Sequence, residues 1–398
     1  MEDASALKKI RAFFPLMIVP GIVLLLAPST VHAVMKDFGF RESLGGLLQV
    51  AYFAGGLVGI LLITHFMQKV SVKRLILSQV ALLSVSLLAA SVCPWYHLVL
   101  LFLVIAGFAN GILITLPGVY VTGVFPRSSH RAQTMLYSFF SLGVVTGPII
   151  SGLIINNGHS WRWSFAVAAL MILPLTVPIA LARLERIEGI EKLSPTVFRQ
   201  VLAFNRRLFF GLLIALLLYI AAESALSMWM ITFLEDKHGA SAAAAHWVLT
   251  GLWVGITVGR WICGYLSRKI DPYRILIFIS ISSAVLILIT PLTGSRTAII
   301  IMYPLVGLFF AGIYPFLIGY AALFPHEYSS AVFTVFLAAG AAGGATLPYF
   351  VGLVNQFGGL ALGMSSIALP VLGVIVCLYW LKAHVAIDGE SALLPAGE

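Results

Sequence analysis

Residues 211–234 read GLLIALLLYIAAESALSMWMITFL, an apolar run with a single charged side chain, Glu223, near its centre. A helix needs about 20 apolar residues to cross a bilayer, so this run is long enough to span one. An ionised carboxylate in that position costs several kcal/mol, and such residues are rare and usually functional. The other acidic residues fall in predicted loops, tails or helix ends. We therefore interpret Glu223 as the one acid in a membrane interior and as the first candidate for ion coupling.

The composition predicts an integral membrane protein. Of 398 residues, 60% are hydrophobic and only 10% are charged, and the mean hydropathy is +1.03. A soluble chain needs more polar surface than this. The formal net charge is +9, but the basic residues lie between apolar runs, so we expect no nucleic-acid partner. Three scattered cysteines, Cys93, Cys263 and Cys377, argue against a disulfide framework.

Apolar runs between charged residues, Pro and Gly predict an all-α fold with twelve membrane spans. We number them span one to span twelve, at residues 12–35, 43–66, 74–93, 97–123, 132–156, 163–183, 207–234, 245–267, 274–291, 297–323, 329–354 and 360–382. The longest polar segment separates spans six and seven. This order predicts an N-terminal six-helix half at 1–183, a cytoplasmic linker at 184–206, and a C-terminal six-helix half with a short cytoplasmic tail at 207–398.

The basic residues predict the orientation of the spans. With the N-terminus inside, eighteen of the 24 Lys and Arg residues fall on the cytoplasmic side and five fall outside. Short loops with such a bias orient a membrane protein. We therefore expect both termini in the cytoplasm and the spans in the cytoplasmic (inner) membrane. Lys8 and Lys9 before an apolar run also fit a cleaved signal peptide, but the many later spans favour an uncleaved first helix.

An internal repeat with an offset of 200 residues relates the two halves. The segment GPIISGL at 147–153 in span five recurs as LPYFVGL at 347–353 in span eleven, and Gly107 matches Gly307. One large transporter fold is built from two parallel repeats of six spans. The repeat therefore predicts two pseudo-symmetric six-helix bundles.

The segments after spans two and eight carry a shared pattern. Residues 264–274 read GYLSRKIDPYR, and residues 65–74 read HFMQKVSVKR, which is a weaker copy. With the two halves, this pattern resembles the major facilitator superfamily over nearly the whole chain. Each copy departs from that family by a basic residue, Lys69 or Arg268, at the position where the family's charge latch uses Asp. The resemblance implies a gating role for Gly264, Arg268, Lys269, Lys73 and Arg74.

Four further segments resemble the fucose–galactose–gluconate:proton symporters within that superfamily. They are LQVAYFAGG at 48–56, YIAAESA at 219–225, VGR at 258–260 and IYP at 313–315. The resemblance implies import of a small organic solute, such as a sugar or sugar acid, together with a proton. Those symporters also carry acids in spans one and four, which this chain lacks, so a less polar or differently shaped solute stays open.

Glu223 and Arg260 are the leading candidates for ion coupling. At 1.5 Å per residue, Glu223 lies about 17 Å and Arg260 about 22 Å below the outer ends of their spans. These depths agree within about one helical turn, so the two charges can pair and relieve two desolvation costs. Protonation or solute binding can then break the pair. The alternatives are a static structural ion pair, or an Arg260 that serves only the cytoplasmic gate.

Polar and aromatic side chains within the spans are candidates for solute binding, because rings stack on apolar faces and amides fix orientation. Asn110 is the first choice, since an amide in a bilayer needs a partner. Packing is the alternative role for each of them. The full candidate set is Asn110, Gln49, Tyr52, Tyr137, Tyr219, Trp229, Trp253 and Tyr314. Small residues and prolines in spans five and eleven predict close helix packing at Gly147, Pro148, Gly152 and Pro348.

The sequence contains no enzyme motif. A G-x-x-x-x-G-K-[ST] phosphate loop, H-E-x-x-H, G-x-S-x-G and C-x-x-C are all missing, so we expect no enzyme, no ATP drive, no cofactor and no bound metal. We predict a monomeric secondary-active transporter in the lipid bilayer that couples a small organic solute to H⁺ or Na⁺ by alternating access. A proton-driven exporter of amphipathic compounds stays open. A non-transporting membrane scaffold or receptor on the same fold also stays open.

Overall fold

The computed structural model describes residues 10–124, 129–184, 195–325 and 328–385. Within these residues, twelve helical segments are long and apolar enough to cross a membrane, and no β-strand is present. The predicted all-α fold with twelve spans is therefore confirmed. A helix satisfies its own backbone N–H and C=O groups, which is necessary in a membrane because lipid offers them no hydrogen-bond partner.

The chain divides into two compact units, Met1–Lys192 and Leu193–Glu398. In the first unit, the helices of spans one to six are Phe13–Leu24 with Leu26–Phe38, Glu42–Gly45 with Leu47–Lys69, Val72–Val92, Tyr96–Val124, Ser129–Asn156 and Arg162–Leu181. In the second unit, the helices of spans seven to twelve are Pro195–Thr232 with the π-helix Phe233–Lys237, Ala242–Leu266, Pro272–Ile289 with the 3₁₀ turn Thr290–Leu292, Arg296–Phe310 with Ile313–Gly319 and the 3₁₀ turn Tyr320–Leu323, Ser329–Gly358, and Leu360–Ser366 with Ala368–Val385.

Among the interrupted spans, one and ten each have a proline shortly after the break. Span one breaks at Leu25, whose φ of −99° and ψ of 6° are not helical. Span ten breaks at Ala311, immediately after the helix that ends at Phe310. A proline ring clashes with the carbonyl four residues before it and removes one backbone hydrogen bond. Pro28 and Pro315 stand at that distance from Leu24 and Ala311, so each of these two breaks coincides with a backbone hydrogen bond that a proline removes.

The segment predicted as a linker, 184–206, contains the start of a helix. Residues 185–194 lie outside the described residues, and the helix Pro195–Thr232 begins directly after them. Within it, Asn205 is non-helical, with φ −157° and ψ 89°, and its Oδ1 accepts a hydrogen bond from the Leu208 N–H at 3.0 Å. That contact is typical of an N-cap. A new helical stretch therefore begins after Asn205 and carries Glu223 into the membrane.

Glycines allow two helix pairs to pack at equivalent places in the two halves. A Cβ atom on Gly107 would lie 1.9 Å from the carbonyl oxygen of Tyr52, and one on Gly307 would lie 2.1 Å from that of Leu252. Only a hydrogen atom fits at these distances, so the backbones of spans two and four, and of spans eight and ten, are in contact. Both partners of the contact recur after 200 residues. The sequence repeat is therefore a repeat of helix packing.

Candidate functional site

Glu223 lies in the middle of span seven and is bound by the preceding turn of the same helix. The hydroxyl of Tyr219 donates a hydrogen bond to Glu223 Oε1 with an O···O distance of 2.6 Å. Residues four apart share one face of a helix, so helix geometry itself creates this contact. Tyr219 is fully buried, whereas the Glu223 side chain keeps part of its surface accessible. A carboxyl in this setting is held in position and can still exchange a proton.

Arg260 of span eight reaches the same two residues. Its guanidinium hydrogen-bonds to the Tyr219 hydroxyl, and its charge acts directly on the Glu223 carboxyl. Tyr314 of span ten lies in the field of both charges. Three spans of the C-terminal half therefore meet at one acid and one base, and we name Tyr219, Glu223, Arg260 and Tyr314 the acid–base cluster. Opposite charges favour the ionised form of each partner, while desolvation favours a neutral carboxyl.

Aromatic rings stack beside the acid–base cluster. The ring of Tyr219 lies 4.7 Å from that of Phe310, with an interplanar angle of 29°, and 6.3 Å from the ring of Tyr314. Phe310 is fully buried. Stacked rings lock the χ angles of Tyr219, so its hydroxyl stays directed at Glu223. The stack thus preorganises the hydrogen bond on which the acid depends.

The two predicted tryptophans differ in how their polar atoms are used. Trp229 is fully buried, and its Nε1–H donates to the carbonyl oxygen of Pro348 at 2.8 Å. Trp253 is buried too, but no described residue accepts a hydrogen bond from its Nε1–H. A buried donor without a partner costs free energy. Trp253 therefore has a hydrogen bond to offer a solute, whereas the geometry of Trp229 fits the packing alternative.

A second polar cluster lies in the N-terminal half. Asn110 of span four is buried, and its Nδ2 donates to the Tyr52 hydroxyl at 2.5 Å and to the Pro20 carbonyl oxygen at 3.4 Å. Gln49, one turn before Tyr52, is also buried. Among the described residues, none donates to Asn110 Oδ1 or Gln49 Oε1. We name Gln49, Tyr52 and Asn110 the amide cluster, and its two open oxygens can accept hydrogen bonds from a polar solute. Tyr137 of span five lies half-buried in the same half.

The predicted gating residues of the N-terminal half lie at the start of span three. Lys73 and Arg74 belong to the first turn of the helix Val72–Val92, so they are helical rather than part of a loop. Lys73 Nζ donates to the carbonyl oxygen of Ala182, at the end of span six, over 3.1 Å. This bond ties the start of span three to the end of span six.

The predicted gating residues of the C-terminal half lie at the end of span eight. Gly264 is in the last turn of the helix Ala242–Leu266, and Arg268 and Lys269 follow it with exposed side chains. Lys269 Nζ donates to the Tyr265 hydroxyl at 2.7 Å and lies over the same ring. Both basic residues are therefore open to solvent or to a lipid surface.

The predicted packing residues of spans five and eleven lie inside their helices. A Cβ atom on Gly147 would lie 3.0 Å from the Ile22 carbonyl oxygen, so span five passes close to span one. Pro148 and Pro348 sit within helices that continue past them, and Gly152 is buried.

A polar contact that the sequence did not predict lies at the predicted outer ends of spans one and six. Asp37 Oδ2 lies 3.2 Å from Arg162 Nη2 and accepts a hydrogen bond from Trp161 Nε1 at 3.0 Å. Arg162 also donates to the carbonyl oxygen of Cys93. The sequence did contain a signal for this contact, since Asp37 and Arg162 carry opposite charges and lie at span ends that are predicted to be on the same side of the membrane. Phe310 was missed as well, because an apolar residue in a span carries no distinguishing signal.

A family model described as the Major Facilitator Superfamily matches residues 13–348. Among curated proteins, a protein TsgA homolog of Buchnera aphidicola is 22% identical over 234 residues, which are 58% of this chain and 59% of that protein. The chain thus spans less than two thirds of that relative. The glucose/mannose transporter GlcP of Bacillus subtilis is 24% identical over 391 residues, which are 93% of this chain and 94% of that protein.

Solved structures share the fold over nearly the whole chain. A bacterial homolog of the human lysosomal transporter Spinster, in an inward-facing and occupied conformation, gives a TM-score of 0.78 at 15% identity and covers 97% of this chain and 98% of that chain. The E. coli fucose:proton symporter FucP gives a TM-score of 0.66 at 19% identity and covers 94% of this chain and 99% of that chain. At these identities the likeness concerns the fold.

Proposed function

Because this chain belongs to the Major Facilitator Superfamily, we propose that it is a secondary-active transporter that carries a small organic solute across the membrane by alternating access. The membership confirms the resemblance that the motifs indicated, and it agrees with the expectation of a protein that is not an enzyme. A sugar or sugar acid is the proposed solute. The support is that one relative, matched over nearly its full length, is named a glucose/mannose transporter, and one fold neighbour a fucose:proton symporter.

The observation that carries the proposal is the acid–base cluster. Glu223 accepts a hydrogen bond from Tyr219 and faces the charge of Arg260, so its protonation state controls both contacts. A proton is the proposed coupling ion, because one carboxyl suffices to bind it, whereas metal cations need several ligands. The described residues contain no group of three His, Cys, Asp or Glu side chains that would hold a metal ion.

The proposed cycle follows from charge balance. Deprotonated Glu223 neutralises Arg260 and keeps Tyr219 in place. When Glu223 takes up a proton, Arg260 loses its counter-charge. A new hydrogen-bond acceptor would then stabilise the guanidinium of Arg260. A hydroxyl or carboxylate of the solute supplies that acceptor. Proton uptake and solute binding therefore favour each other, which is the thermodynamic requirement for symport.

The solute contacts that we propose are polar atoms the protein leaves open. In the N-terminal half these atoms are Asn110 Oδ1 and Gln49 Oε1. The aromatic rings of Tyr52 and Tyr137 are proposed as further contacts in that half. In the C-terminal half the proposed contacts are the indole N–H of Trp253 and the aromatic rings of Tyr219 and Tyr314. Sugars present several hydroxyl groups and flat apolar faces, which match open amide oxygens and aromatic rings.

We further propose that the protein is a monomer in the inner membrane, with both termini in the cytoplasm. The orientation is supported by the unequal distribution of the basic residues over the predicted loops. The gating residues Lys73, Arg74, Arg268 and Lys269 then lie on the cytoplasmic side.

The test is transport by the purified protein in liposomes. Glu223→Gln mimics the protonated acid and keeps its volume. We expect it to abolish accumulation of labelled solute driven by a pH gradient and to retain exchange at equal concentrations, because exchange need not release the proton. Asp236→Asn is the matched control, since Asp236 belongs to the same span but is exposed at its end. Wild-type accumulation by Glu223→Gln would show that Glu223 is not the coupling residue.

The same liposomes separate the rival functions. A proton-driven exporter of amphipathic compounds would protect cells that express it and would not accumulate sugars. A membrane scaffold or receptor would show neither activity. Screening sugars, sugar acids, nucleosides and drugs by thermal shift identifies the solute to label.

A further inference from the structure

A pocket of about 510 Å³ opens in the N-terminal half where spans two, three and six end or begin. None of its lining residues belongs to the acid–base cluster or the amide cluster. Its walls are the end of span two, the first turn of span three and the residues that follow span six. The lining residues are Lys69, Ser71, Val72, Lys73, Arg74, Ala182, Arg183 and Leu184.

Half of the residues that line this pocket are basic. They are Lys69, Lys73, Arg74 and Arg183, and none of the described lining residues is acidic. Lys73 is fixed by its bond to the Ala182 carbonyl oxygen, and the other three are exposed. Four like charges around one cavity repel one another, and an anion in the cavity removes that repulsion. The pocket therefore favours an anionic occupant.

The backbone adds to this preference. Ser71 is the N-cap of the helix Val72–Val92 but makes no side-chain capping hydrogen bond. The first N–H groups of that helix consequently have no partner from the cap, and they point toward the helix start, where Ser71 and Val72 line the pocket.

Two apolar stripes run from the pocket along the outside of the helix bundle. On span six, Leu170, Leu173, Val177 and Leu181 recur every three or four residues and are exposed, with Leu181 at 79%. On span three, the exposed positions begin with Arg74 at the pocket, continue through the small residues Ser78 and Ala81, and become apolar at Val85, Leu88 and Val92. Spans three and six pack on each other, so the two stripes are neighbours. In a membrane, such stripes face the acyl chains of lipids.

We propose that this pocket binds the phosphate headgroup of an anionic phospholipid whose acyl chains lie along the stripes of spans three and six. Basic pockets between membrane helices suit such headgroups. A free inorganic or sugar phosphate satisfies the charges but leaves the stripes unused. The bound lipid also contacts Lys73 and Ala182, so it supports the tie between spans three and six.

The test is native mass spectrometry of the full-length protein, titrated with phosphatidylglycerol and with phosphatidylcholine of the same acyl chains. Glycerol phosphate serves as the headgroup without chains. We expect preferential binding of phosphatidylglycerol by the wild-type protein, and weakening of roughly tenfold or more in Arg74→Gln/Arg183→Gln. The control is Arg268→Gln/Arg274→Gln, which removes two exposed arginines at the end of span eight and the start of span nine, and it should leave binding unchanged.

Four results would overturn the proposal. Equal binding of the two lipids to the wild-type protein removes the headgroup preference, and this measurement needs no variant to fold. Equal losses of phosphatidylglycerol binding in the two double variants would mean that the lipid responds to the overall positive charge of the surface and not to this pocket. Glycerol phosphate binding as tight as that of phosphatidylglycerol identifies a soluble phosphate site. The variant Arg74→Lys/Arg183→Lys keeps the charge and should keep the preference for phosphatidylglycerol, and loss of that preference contradicts a charge-based site.

Discussion

Neighbouring glycines in span two provide a sharp test of the helix packing. A Cβ atom on Gly55 would lie 1.9 Å from the carbonyl oxygen of Val104, whereas one on Gly56 would lie 3.5 Å from that of Gly107. The first distance is far below the 3.0 Å that real Cβ atoms respect, and the second is an ordinary contact. The obstructing atom at Gly55 is backbone, so spans two and four would have to move apart by about 1 Å.

These distances set the expected effects of two single substitutions. Overpacking of a well-filled interface costs about 3 kcal/mol when the neighbour cannot yield. Replacing Gly by Ala in a helix returns about 1 kcal/mol of backbone entropy. Gly55→Ala should therefore lower the free energy of unfolding by about 2 kcal/mol. Gly56→Ala should leave the free energy of unfolding unchanged or raise it slightly, because alanine has the higher helix propensity and its Cβ atom meets no clash at this position.

The assay is thermal unfolding of the purified variants in detergent, followed by intrinsic fluorescence. Gly55→Ala should unfold several degrees below Gly56→Ala. The C-terminal half repeats the experiment, because a Cβ atom on Gly255 would meet the Pro304 carbonyl oxygen at 2.3 Å, while one on Gly264 meets nothing within 4 Å. Equal unfolding temperatures within either pair would refute the argument that backbone contact at these glycines holds the spans together.

Two further predictions concern charge and orientation. Arg260→Ala should impair transport and cost about 2 kcal/mol of stability, because Glu223 loses its counter-charge. Adding Glu223→Gln should recover part of that stability, and strictly additive losses would mean that the two residues do not interact. For orientation, a cysteine at Lys237 should react with an impermeant thiol reagent added outside the cell, and one at Arg268 should not. Labelling of both from one side would contradict the predicted topology.

The positions of the spans could be read from the sequence because the bilayer imposes a local rule. Any segment that crosses it must be apolar over about 20 residues and must satisfy its own backbone, whatever the rest of the chain does. The breaks at Leu25 and Ala311 each precede a proline, but Pro148 and Pro348 lie inside continuous helices, so a proline alone does not specify a break.

The candidate site was only partly accessible to this kind of reasoning. Glu223 stands out because a carboxylate in a span is costly and rare. Its bond to Tyr219 was within reach, since the two residues are one helical turn apart. Matching depths could bring Arg260 to the level of Glu223, but depth does not specify which face of span eight turns inward. The stacking of Phe310 on Tyr219 and the bond from Asn110 to Tyr52 needed the packed helices.

By itself, the sequence determined that this chain crosses the membrane twelve times as two repeated halves and that Glu223 is its central acid. These properties depend on the local composition of the chain and on the free-energy cost of placing polar groups in lipid, which applies to each segment separately. Only the tertiary structure decided which side chains share a cavity or a hydrogen bond. Arg183 joins Lys69 and Lys73 around one pocket although more than a hundred residues separate them, and Arg260 joins Tyr219 from another helix. The physical reason is that lipid constrains each helix separately. Contacts between side chains depend instead on how the helices are rotated and how closely they approach, and small residues at distant positions in the chain together determine both.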